Sequence, residues 1–371
     1  MEILNFIIWS PDPVIFTIPL EFIGLPGRPI VWYGLLFALG FIISQQIMYK
    51  LFEADGKPKK DVDHLTTYMV VATIVGARLG HCLFYNPGFY LSNPIEILKI
   101  WEGGLASHGA TIGIPLAVYF FVKKFKGYTW LWMLDRLVIV VALTGAMIRT
   151  GNLMNSEMEG TETLSSYGLI YARGTEEVLT YDDDKIESVT FKKGGEKQSD
   201  LPGRFPITAV VTYKKGSNFG SEGDRAFVEG RLRSSLLRYT EVVQHVDFDA
   251  NAPLSYNISQ QNGQSVLEIY GIGIARHPGQ VYEAIACLFI MALLYWLWWK
   301  KREQLPEGFF FALFNIILWS QRFIVEFFKM DQEDFEADLT LNMGQLLSIP
   351  MFLFGVGVMI YIYRKKSKAE A

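Results

Sequence analysis

The 371-residue sequence contains little charge, little cysteine and little histidine. Charged residues make up 19% of it, against about a quarter in soluble globular domains, while half of the residues are apolar and the mean hydropathy is positive. The two cysteines, Cys82 and Cys287, both lie in apolar runs, which excludes a disulfide scaffold and a cysteine-rich metal site. The five histidines form no HExxH motif, and the net charge of −4 argues against general nucleic-acid binding. This composition is typical of a membrane protein.

Seven apolar stretches are long enough to cross a bilayer, which requires about 20 residues each. The third and the sixth are interrupted by Gly, Pro or charge, which leaves their ends the least defined. Trp and Tyr gather near the ends of the stretches, as they do at membrane interfaces. We therefore predict an all-α polytopic membrane protein with seven transmembrane helices at residues 30–49, 66–86, 106–122, 131–150, 280–299, 308–328 and 344–363.

The distribution of Lys and Arg in the short loops predicts the orientation. One set of alternating segments carries fourteen of these residues, whereas the other set carries only Arg28, Lys99 and Lys329. Positive loops face the cytoplasm, so the N-terminus is predicted outside and the C-terminus inside. No Lys or Arg precedes Arg28, and we therefore expect no cleaved signal peptide.

A polar insertion at residues 161–276 separates the fourth and fifth spans. Its runs 188–192, 207–213 and 265–270 predict short strands bounded by turn residues, and 227–243 is more helix-like. We predict a small β-rich external, periplasmic domain here. The predicted organisation is thus spans one to four in 1–160, the insertion in 161–276, and spans five to seven in 277–371.

Ionisable side chains recur inside the predicted spans, although each costs about 2.5–3.5 kcal/mol at the centre of a bilayer on insertion scales. On the predicted topology they all fall near the outer third of the membrane, and the inner ends carry no comparable charge. This common depth predicts one polar chamber. Guanidinium groups suit a phosphate, His suits a general base, and amides suit hydroxyls; a phosphate at this depth indicates a phospholipid. The ionisable side chains are Arg78, His108, Arg149, His277, Glu283, Arg322 and Glu326, and the neutral polar side chains at the same depth are Gln280, Gln345 and Ser348.

Some of these residues also have purely structural interpretations. Arg322 and Glu326 are spaced i, i+4. In the structural interpretation they form an ion pair within one helix and neutralise each other. Arg78 lies close enough to the outer interface to extend its charge towards water. We interpret His64 as a loop residue and His245 as an ordinary residue of the insertion.

Residues 145–160 read GAMIRTGNLMNSEMEG and resemble the signature of the bacterial prolipoprotein diacylglyceryl transferase family. The resemblance extends in order and spacing through WYGL, GARLG and FYNP, GGLASHG, HPGQVYE, RFIVEFF and MGQLLS, at 32–35, 76–87, 103–109, 277–283, 322–328 and 343–348. The sequence departs from the family in three places. Residues 161–276 exceed the usual connection, 318–321 replace a frequent Tyr-Gly pair, and Lys329, Met330, Asp331 and Gln332 replace Arg-Glu-Pro-Asp.

The resemblance implies transfer of a diacylglyceryl group from phosphatidylglycerol to the lipobox cysteine of a prolipoprotein, with thioether formation and release of glycerol 1-phosphate. This is the first step of bacterial lipoprotein maturation, placed in the inner membrane with the active site towards the periplasmic leaflet. The expected partners are phosphatidylglycerol and prolipoprotein signal peptides; no nucleic acid, metal or cofactor is implied. The resemblance implies catalytic roles for His108, Arg149 and Arg322. Together with the residue pattern, it predicts phosphatidylglycerol binding by Arg149, Tyr33, Arg78, Asn152, Asn155, Glu157, Gly160, His277, Gln280, Glu283, Glu326 and Gln345.

Three other classes of protein are weighed against the transferase. A transporter or channel requires charged groups on a path to both faces or paired half-helices, and an intramembrane hydrolase requires a serine nucleophile, for which only Ser107 and Ser348 qualify. A seven-span receptor does not require three arginines in an outer pocket. The sequence leaves open whether His108 or His277 accepts the thiol proton.

Overall fold

The structure, a computed structural model, describes residues 6–24, 26–100, 103–104, 106–165, 167–181, 184–196, 199–330 and 340–370. Long helices follow the apolar runs, and short helices occupy the loops and the insertion. The helices are α1 (Trp32–Ala54), α2 (Lys59–Phe84), α3 (Pro87–Ser92), α4 (Pro94–Ile97), α5 (Ser107–Lys124), α6 (Trp130–Met154), α7 (Arg173–Thr180), α8 (Glu222–Phe227), α9 (Arg233–Arg238), α10 (Thr240–Val243), α11 (Gly279–Lys301), α12 (Phe309–Val325) and α13 (Met343–Glu370).

Six helices among the described residues are long and apolar enough to cross a membrane: α1, α2, α6, α11, α13, and α12 with the 3-10 turn that continues it to Phe328. The prediction of a polytopic membrane protein is confirmed for these six. The third predicted span forms α5, an 18-residue helix that is not among the six. Its first turns carry His108, Thr111 and glycines, which lower its hydropathy. A seventh span therefore stays a prediction.

The helices extend beyond several of the predicted span ends. α2 begins at Lys59, seven residues before the predicted start, because a helix can continue past the bilayer where its charged side chains are solvated. The interpretation of His64 as a loop residue is consequently wrong. His64 lies in α2, and its ring stacks on Phe125 with the ring centroids 5.1 Å apart.

The chain divides into two compact units, one of which contains the described residues within 34–151, 283–326 and 335–371. We call this the helical unit. Its apolar core includes Phe52, Phe121, Ile139, Leu294 and Trp298, each fully buried. The aromatic side chains supply much of the buried area that holds α1, α5, α6 and α11 together.

Glycines allow α2 and α5 to approach backbone to backbone within the helical unit. A Cβ atom added to Gly109 would overlap the carbonyl oxygen of Gly76, and one added to Gly80 would lie 2.7 Å from the Gly109 Cα. Gly113 is also close to α2, with 2.8 Å between an added Cβ and the carbonyl oxygen of Ala72. Small residues that permit such contacts are a common basis of helix association in membranes. This contact sets the position of the first turn of α5, where His108 lies.

Replacing Gly109 with Ala is expected to destabilise the protein by about 1–3 kcal/mol, because the added methyl group meets backbone, which cannot rotate away. Thermal unfolding in detergent should show a lower midpoint for this variant. Gly357→Ala is the matched control, since a Cβ at this helical glycine meets no atom of the described residues within 4 Å. Equal midpoints for Gly109→Ala and the control would contradict the close approach of the two helices.

The N-terminal end of α6, which is predicted to face the cytoplasm, contains buried charge. Asp135 and Arg136 are both almost fully buried, so the expectation that the inner ends carry no comparable charge is wrong. The Asp135 carboxylate accepts hydrogen bonds from the backbone amides of Gly308 and Phe311, at 2.7 and 2.8 Å. It therefore caps the N-terminus of α12, whose own N-cap residue is a glycine without a side chain.

Arg136 belongs to a second buried network at the same end of the helical unit. Asp55 lies between two guanidinium groups, 2.8 Å from Arg136 Nη2 and 3.2 Å from Arg302 Nε. Arg136 also lies over the Trp132 ring, and Arg302 over the Trp298 ring. These contacts connect the ends of α1, α6 and α11. The charge here has structural partners and needs no transport path to explain it.

The second unit contains the described residues within 1–33, 152–282 and 327–334, and we call it the sheet unit. The strands are β1 (Ile7–Trp9), β2 (Val14–Ile18), β3 (Arg28–Val31), β4 (Leu169–Tyr171), β5 (Ile186–Lys193), β6 (Arg204–Tyr213), β7 (Val246–Asp247), β8 (Tyr256–Gln261) and β9 (Gln264–Ile274). In the largest sheet β6 and β9 pair along their length, β5 pairs with β6, and β7 and β8 both pair with β9, all antiparallel. The three strands predicted in the insertion are thereby confirmed within β5, β6 and β9.

Alternating apolar residues on β6 and β9 build the core of the sheet unit. Ile207, Val211 and Leu267 are buried on one face of the sheet and pack in a cluster with Leu232 and Leu236 from the helical segment of the insertion. The prediction that 227–243 is helix-like is confirmed, and the structure adds that this segment packs on one face of the sheet. The insertion supplies most of this apolar core, and Phe6 from the N-terminal segment completes it.

Candidate active site

Four charged side chains in the helical unit form what we call the arginine cluster: Arg149, Glu283, Arg322 and Glu326. Glu283 lies between the two arginines, with Oε2 2.7 Å from Arg149 Nε and Oε1 4.0 Å from Arg322 Nη1. Arg322 also lies 3.4 Å from Glu326 Oε1, as its i, i+4 spacing predicts. The structure thus brings together residues from α6, α11 and α12 that are far apart in the sequence.

The carboxylate and guanidinium groups of the arginine cluster differ in burial, and this difference indicates two roles. The Glu283 and Glu326 side chains are 4% and 5% exposed, whereas those of Arg149 and Arg322 are 18% and 28% exposed. Buried carboxylates keep guanidinium groups in a fixed orientation and balance their charge. Two oriented and partly exposed arginines are suited to binding an anion with two or more oxygens.

Helix α13 begins beside Glu326. A Cβ on Gly344 would overlap the Glu326 carboxyl group, so a side chain at this position would displace that carboxyl group. Asn342 and Gln345 cap the helix reciprocally: the Gln345 backbone amide donates to Asn342 Oδ1, and Gln345 Oε1 accepts from the Asn342 amide. Gln345, predicted as a lipid-binding residue, therefore uses its side-chain oxygen to fix the start of α13.

In the sheet unit, the second half of the signature motif forms what we call the signature cluster: Asn152, Asn155, Glu157 and Gly160. The Glu157 carboxylate is exposed and accepts a hydrogen bond of 3.2 Å from each of the two asparagine amides. The Glu157 carbonyl accepts from Gln280 Nε2, and Gln280 is fully buried. A carboxylate held by amides is suited to accepting hydrogen bonds from hydroxyl groups.

The backbone of this segment is unusual on both sides of Glu157. Ser156 and Met158 adopt left-handed conformations, with φ of 53° and 59°, which are uncommon for residues other than glycine. Gly160 has no room for a side chain, because an added Cβ would overlap the carbonyl oxygen of Phe328 and lie 2.5 Å from that of His277. Such a conformation persists only where surrounding contacts hold it, which is a property common at functional sites.

His108 lies in the first turn of α5, in the helical unit. Its side chain is exposed, and its ring contacts Phe84 edge-on and stacks near Tyr85, with centroid distances of 5.0 and 5.8 Å. An exposed imidazole between aromatic rings is accessible to a substrate group. The backbone contact of Gly109 with α2 fixes the turn that carries it.

Arg78 is almost fully buried, and each of its guanidinium nitrogens donates to the backbone. Nε donates to the carbonyl of Ile97, Nη2 to that of Glu96, and Nη1 to those of Gly103 and Gly104, at 2.5–3.3 Å. Its guanidinium also lies over the Tyr90 ring. Arg78 thus organises the segment that leads into α5.

His277 and Tyr33 lie in the sheet unit, and both are half-buried. His277 Nδ1 lies 3.0 Å from the Tyr282 hydroxyl, and its ring contacts Phe328. Burial lowers the pKa of His277 from its ordinary value, which favours the neutral imidazole near pH 7. Tyr33 is the second residue of α1.

The sequence interpretation missed the roles of three buried residues, Tyr171, His245 and Arg276, and of the half-buried Glu159, all next to the signature cluster. The Tyr171 hydroxyl donates to Gln280 Oε1 at 3.0 Å, and Arg276 Nη1 donates to the Gly160 carbonyl at 3.2 Å. His245 contacts Glu159, so its interpretation as an ordinary residue is incomplete. Glu159 lies in one recognised motif and Arg276 directly precedes another, so the sequence could have indicated these two residues. No motif in the sequence indicates a role for Tyr171 or His245.

Two further observations complete the description. Asp331 and Gln332, which replace a family motif, lie outside the described residues. Within the described part of the chain, no group of three His, Cys, Asp or Glu side chains is placed to hold a metal ion.

Comparisons with known proteins agree with the sequence motifs. A family model described as prolipoprotein diacylglyceryl transferase matches residues 21–361. Three curated relatives carry the name phosphatidylglycerol–prolipoprotein diacylglyceryl transferase. The one from Porphyromonas gingivalis is 34% identical over 97% of this chain and 96% of its own length, that from Tolumonas auensis is 31% identical over 97% and 99%, and that from Chloroherpeton thalassium is 30% identical over 100% and 99%. Because the matches span nearly the whole chain, they include most or all of the insertion.

Proposed function

Because this chain belongs to the prolipoprotein diacylglyceryl transferase family, we propose that its arginine cluster binds the phosphate of phosphatidylglycerol during diacylglyceryl transfer to a prolipoprotein. The chain is a transferase, and the reaction is the first step of lipoprotein maturation. The observation that carries the phosphate assignment is Glu283, which lies between Arg149 and Arg322 and leaves both guanidinium groups partly exposed.

The proposed chemistry is a displacement at carbon. The lipobox cysteine loses its proton to a base, its sulfur forms a bond to the terminal glyceryl carbon of the diacylglyceryl group, and the carbon–oxygen bond to phosphate breaks. The electron pair stays on the phosphate oxygen, and glycerol 1-phosphate leaves. Negative charge grows on that oxygen in the transition state, where Arg149 and Arg322 stabilise it.

His108 is our proposed base for the thiol. A cysteine thiol with an ordinary pKa near 8.5 is mostly protonated at neutral pH, so a base raises the fraction of reactive thiolate. His108 is exposed, whereas His277 is half-buried with its Nδ1 against the Tyr282 hydroxyl. These surroundings favour His108 over His277 as the group that reaches an incoming peptide.

We assign the remaining predicted residues by their contacts. Asn152, Asn155 and Glu157 present amide and carboxylate groups suited to the hydroxyls of the glycerol headgroup, and Tyr33, His277 and Gln280 remain proposed headgroup residues. Arg78, Gln345 and Gly160 contribute by holding the backbone in place. Arg78 donates to backbone carbonyls, and the Gln345 side-chain oxygen accepts from a backbone amide. Gly160 allows a close backbone contact because it has no side chain. Glu283 and Glu326 orient the arginines. That these groups share one polar chamber stays a prediction from the sequence.

The proposed location is the bacterial inner membrane, with the N-terminus outside and the active site towards the periplasmic leaflet. The alternation of fourteen against three positive loop residues supports this orientation. A green fluorescent protein fused after residue 371 should fluoresce, because it folds in the cytoplasm. A dark fusion in cells that hold the full-length protein would contradict the orientation.

The direct test of the function uses purified protein in detergent with phosphatidylglycerol and a peptide that contains a lipobox. Incubation should add one diacylglyceryl group to the peptide mass and release glycerol phosphate, and both products should vanish when serine replaces the peptide cysteine. Release of glycerol phosphate with the serine peptide would indicate a lipid hydrolase. Absence of both products from folded protein would overturn the proposed function.

A further inference from the structure

His245 of the insertion makes two short contacts on opposite sides of its ring. It lies between α10 and β7 and is 7% exposed. Nδ1 lies 2.7 Å from the backbone carbonyl oxygen of Glu241, and Nε2 lies 2.7 Å from Glu159 Oε1. A buried ring with both nitrogens in contact is held in one orientation.

The two partners of this ring belong to separate segments of the sheet unit. A backbone carbonyl only accepts hydrogen bonds, so the ring donates from Nδ1 to Glu241, and Nε2 faces the Glu159 carboxyl group. Arg276 Nε lies 4.0 Å from Glu159 Oε2, on the other oxygen of the same carboxyl group. The ring therefore ties the Glu159 side chain to α10.

The other groups that face His245 leave this pairing intact. Tyr171 has its ring centroid 6.3 Å from that of His245, its hydroxyl donates to Gln280, and burial raises its pKa, so it stays neutral. Glu241, on the adjoining helix α10, contributes its carbonyl oxygen. Arg276 directs Nε and Nη2 to the Gln244 carbonyl, next to His245 in the chain.

Glu159 is part of the segment whose conformation defines the signature cluster. It follows Met158, which has a left-handed backbone, and it precedes Gly160, which has no room for a side chain. Gln280 holds the Glu157 carbonyl, and Arg276 holds the Gly160 carbonyl. His245 holds the side chain of Glu159, which lies in the sequence between these two carbonyls.

We propose that His245 is a positioning residue for the transferase: its ring fixes Glu159 and thereby keeps Glu157 and Gly160 in the conformation that receives the lipid headgroup. This inference rests on the proposed function. It gives the insertion a part in the reaction, through one side chain that acts by way of the signature segment.

A comparison of His245→Gln, Glu159→Gln and the double variant tests the proposal. Each single variant is expected to lower kcat/KM for phosphatidylglycerol about 10- to 100-fold, mainly through kcat, because a displaced headgroup reacts from a poorer geometry. The double variant should lose no more than the worse single variant, since both remove the same contact. Losses that multiply in the double variant, or no loss in either single variant, would overturn the proposal.

Arg233→Gln is the matched control within the insertion. Arg233 Nη2 donates to the carbonyls of Ala250 and Ala252, so its loss weakens the insertion without removing a contact to Glu159. We expect its kcat/KM to stay within about twofold of wild type, with melting temperatures measured for all variants. A loss in Arg233→Gln as large as in His245→Gln would reduce the effect to stability and overturn the inference, whereas an inactive wild-type protein would overturn the proposed function itself.

Discussion

Replacing Arg149 with Gln is expected to lower kcat/KM for phosphatidylglycerol about 100- to 1,000-fold. The substitution removes one of two partly exposed guanidinium groups that share Glu283, and with it the charge that stabilises the departing phosphate. Release of glycerol phosphate, measured with a lipobox peptide over a range of lipid concentrations, gives kcat and KM separately. Both should change, because the phosphate is negative in the bound lipid and becomes more negative in the transition state.

Two further variants show whether the loss of activity in Arg149→Gln reflects a phosphate site. Arg149→Lys keeps the charge but cannot bind two oxygens in the same plane, so we expect activity between those of wild type and Arg149→Gln. Arg302→Gln is the matched control, because Arg302 is in the same unit, is 21% exposed and pairs with Asp55. If Arg302→Gln lost as much activity as Arg149→Gln, the loss would reflect missing ion pairs rather than a phosphate site.

Replacing His108 with Gln is expected to lower kcat about 100- to 10,000-fold, the usual contribution of a general base. Glutamine fills a similar space beside Phe84 and Tyr85 but takes no proton from a thiol. The deficit should shrink as the pH rises, because a growing fraction of the peptide thiol then ionises without help. The measurement is the rate of peptide lipidation at saturating lipid against pH.

The other histidines supply the comparison. We expect a smaller loss from His277→Gln, whose ring is half-buried beside Tyr282, and no loss beyond about twofold from His64→Gln, whose ring stacks on Phe125. A greater loss from His277→Gln than from His108→Gln would assign the base to His277 instead. A deficit in His108→Gln that does not change with pH would argue against base catalysis at either position.

Hydropathy and charge predicted much of the helical unit because apolar length and charged loops follow directly from the bilayer. The same reasoning failed at His64, since a helix does not have to end where the bilayer does. It also failed at Asp135 and Arg136. Their charges are balanced by backbone amides of Gly308 and Phe311 and by Asp55, partners that are distant in the sequence.

The candidate site, like the helical unit, was predicted only in part from the sequence. The sequence singled out Arg149, Glu283 and Arg322 because charge in an apolar helix is costly, and the structure brings these three together. It did not indicate that Arg78 would donate to backbone carbonyls, because carbonyls have no signal in a sequence. Nor did it connect His245 with Glu159, which are 86 residues apart.

The cap that Asp135 provides for α12 has a consequence for biosynthesis. The carboxylate and the Gly308 amide are 173 residues apart, and synthesis proceeds from the N-terminus, so the acceptor enters the membrane well before its donors. Until Gly308 and Phe311 arrive, a nascent chain that ends within the insertion carries this acidic side chain without the amides that receive it. The cap of α12 therefore forms only after the insertion and the start of α12 have been synthesised, so a chain truncated before Gly308 lacks these partners of Asp135.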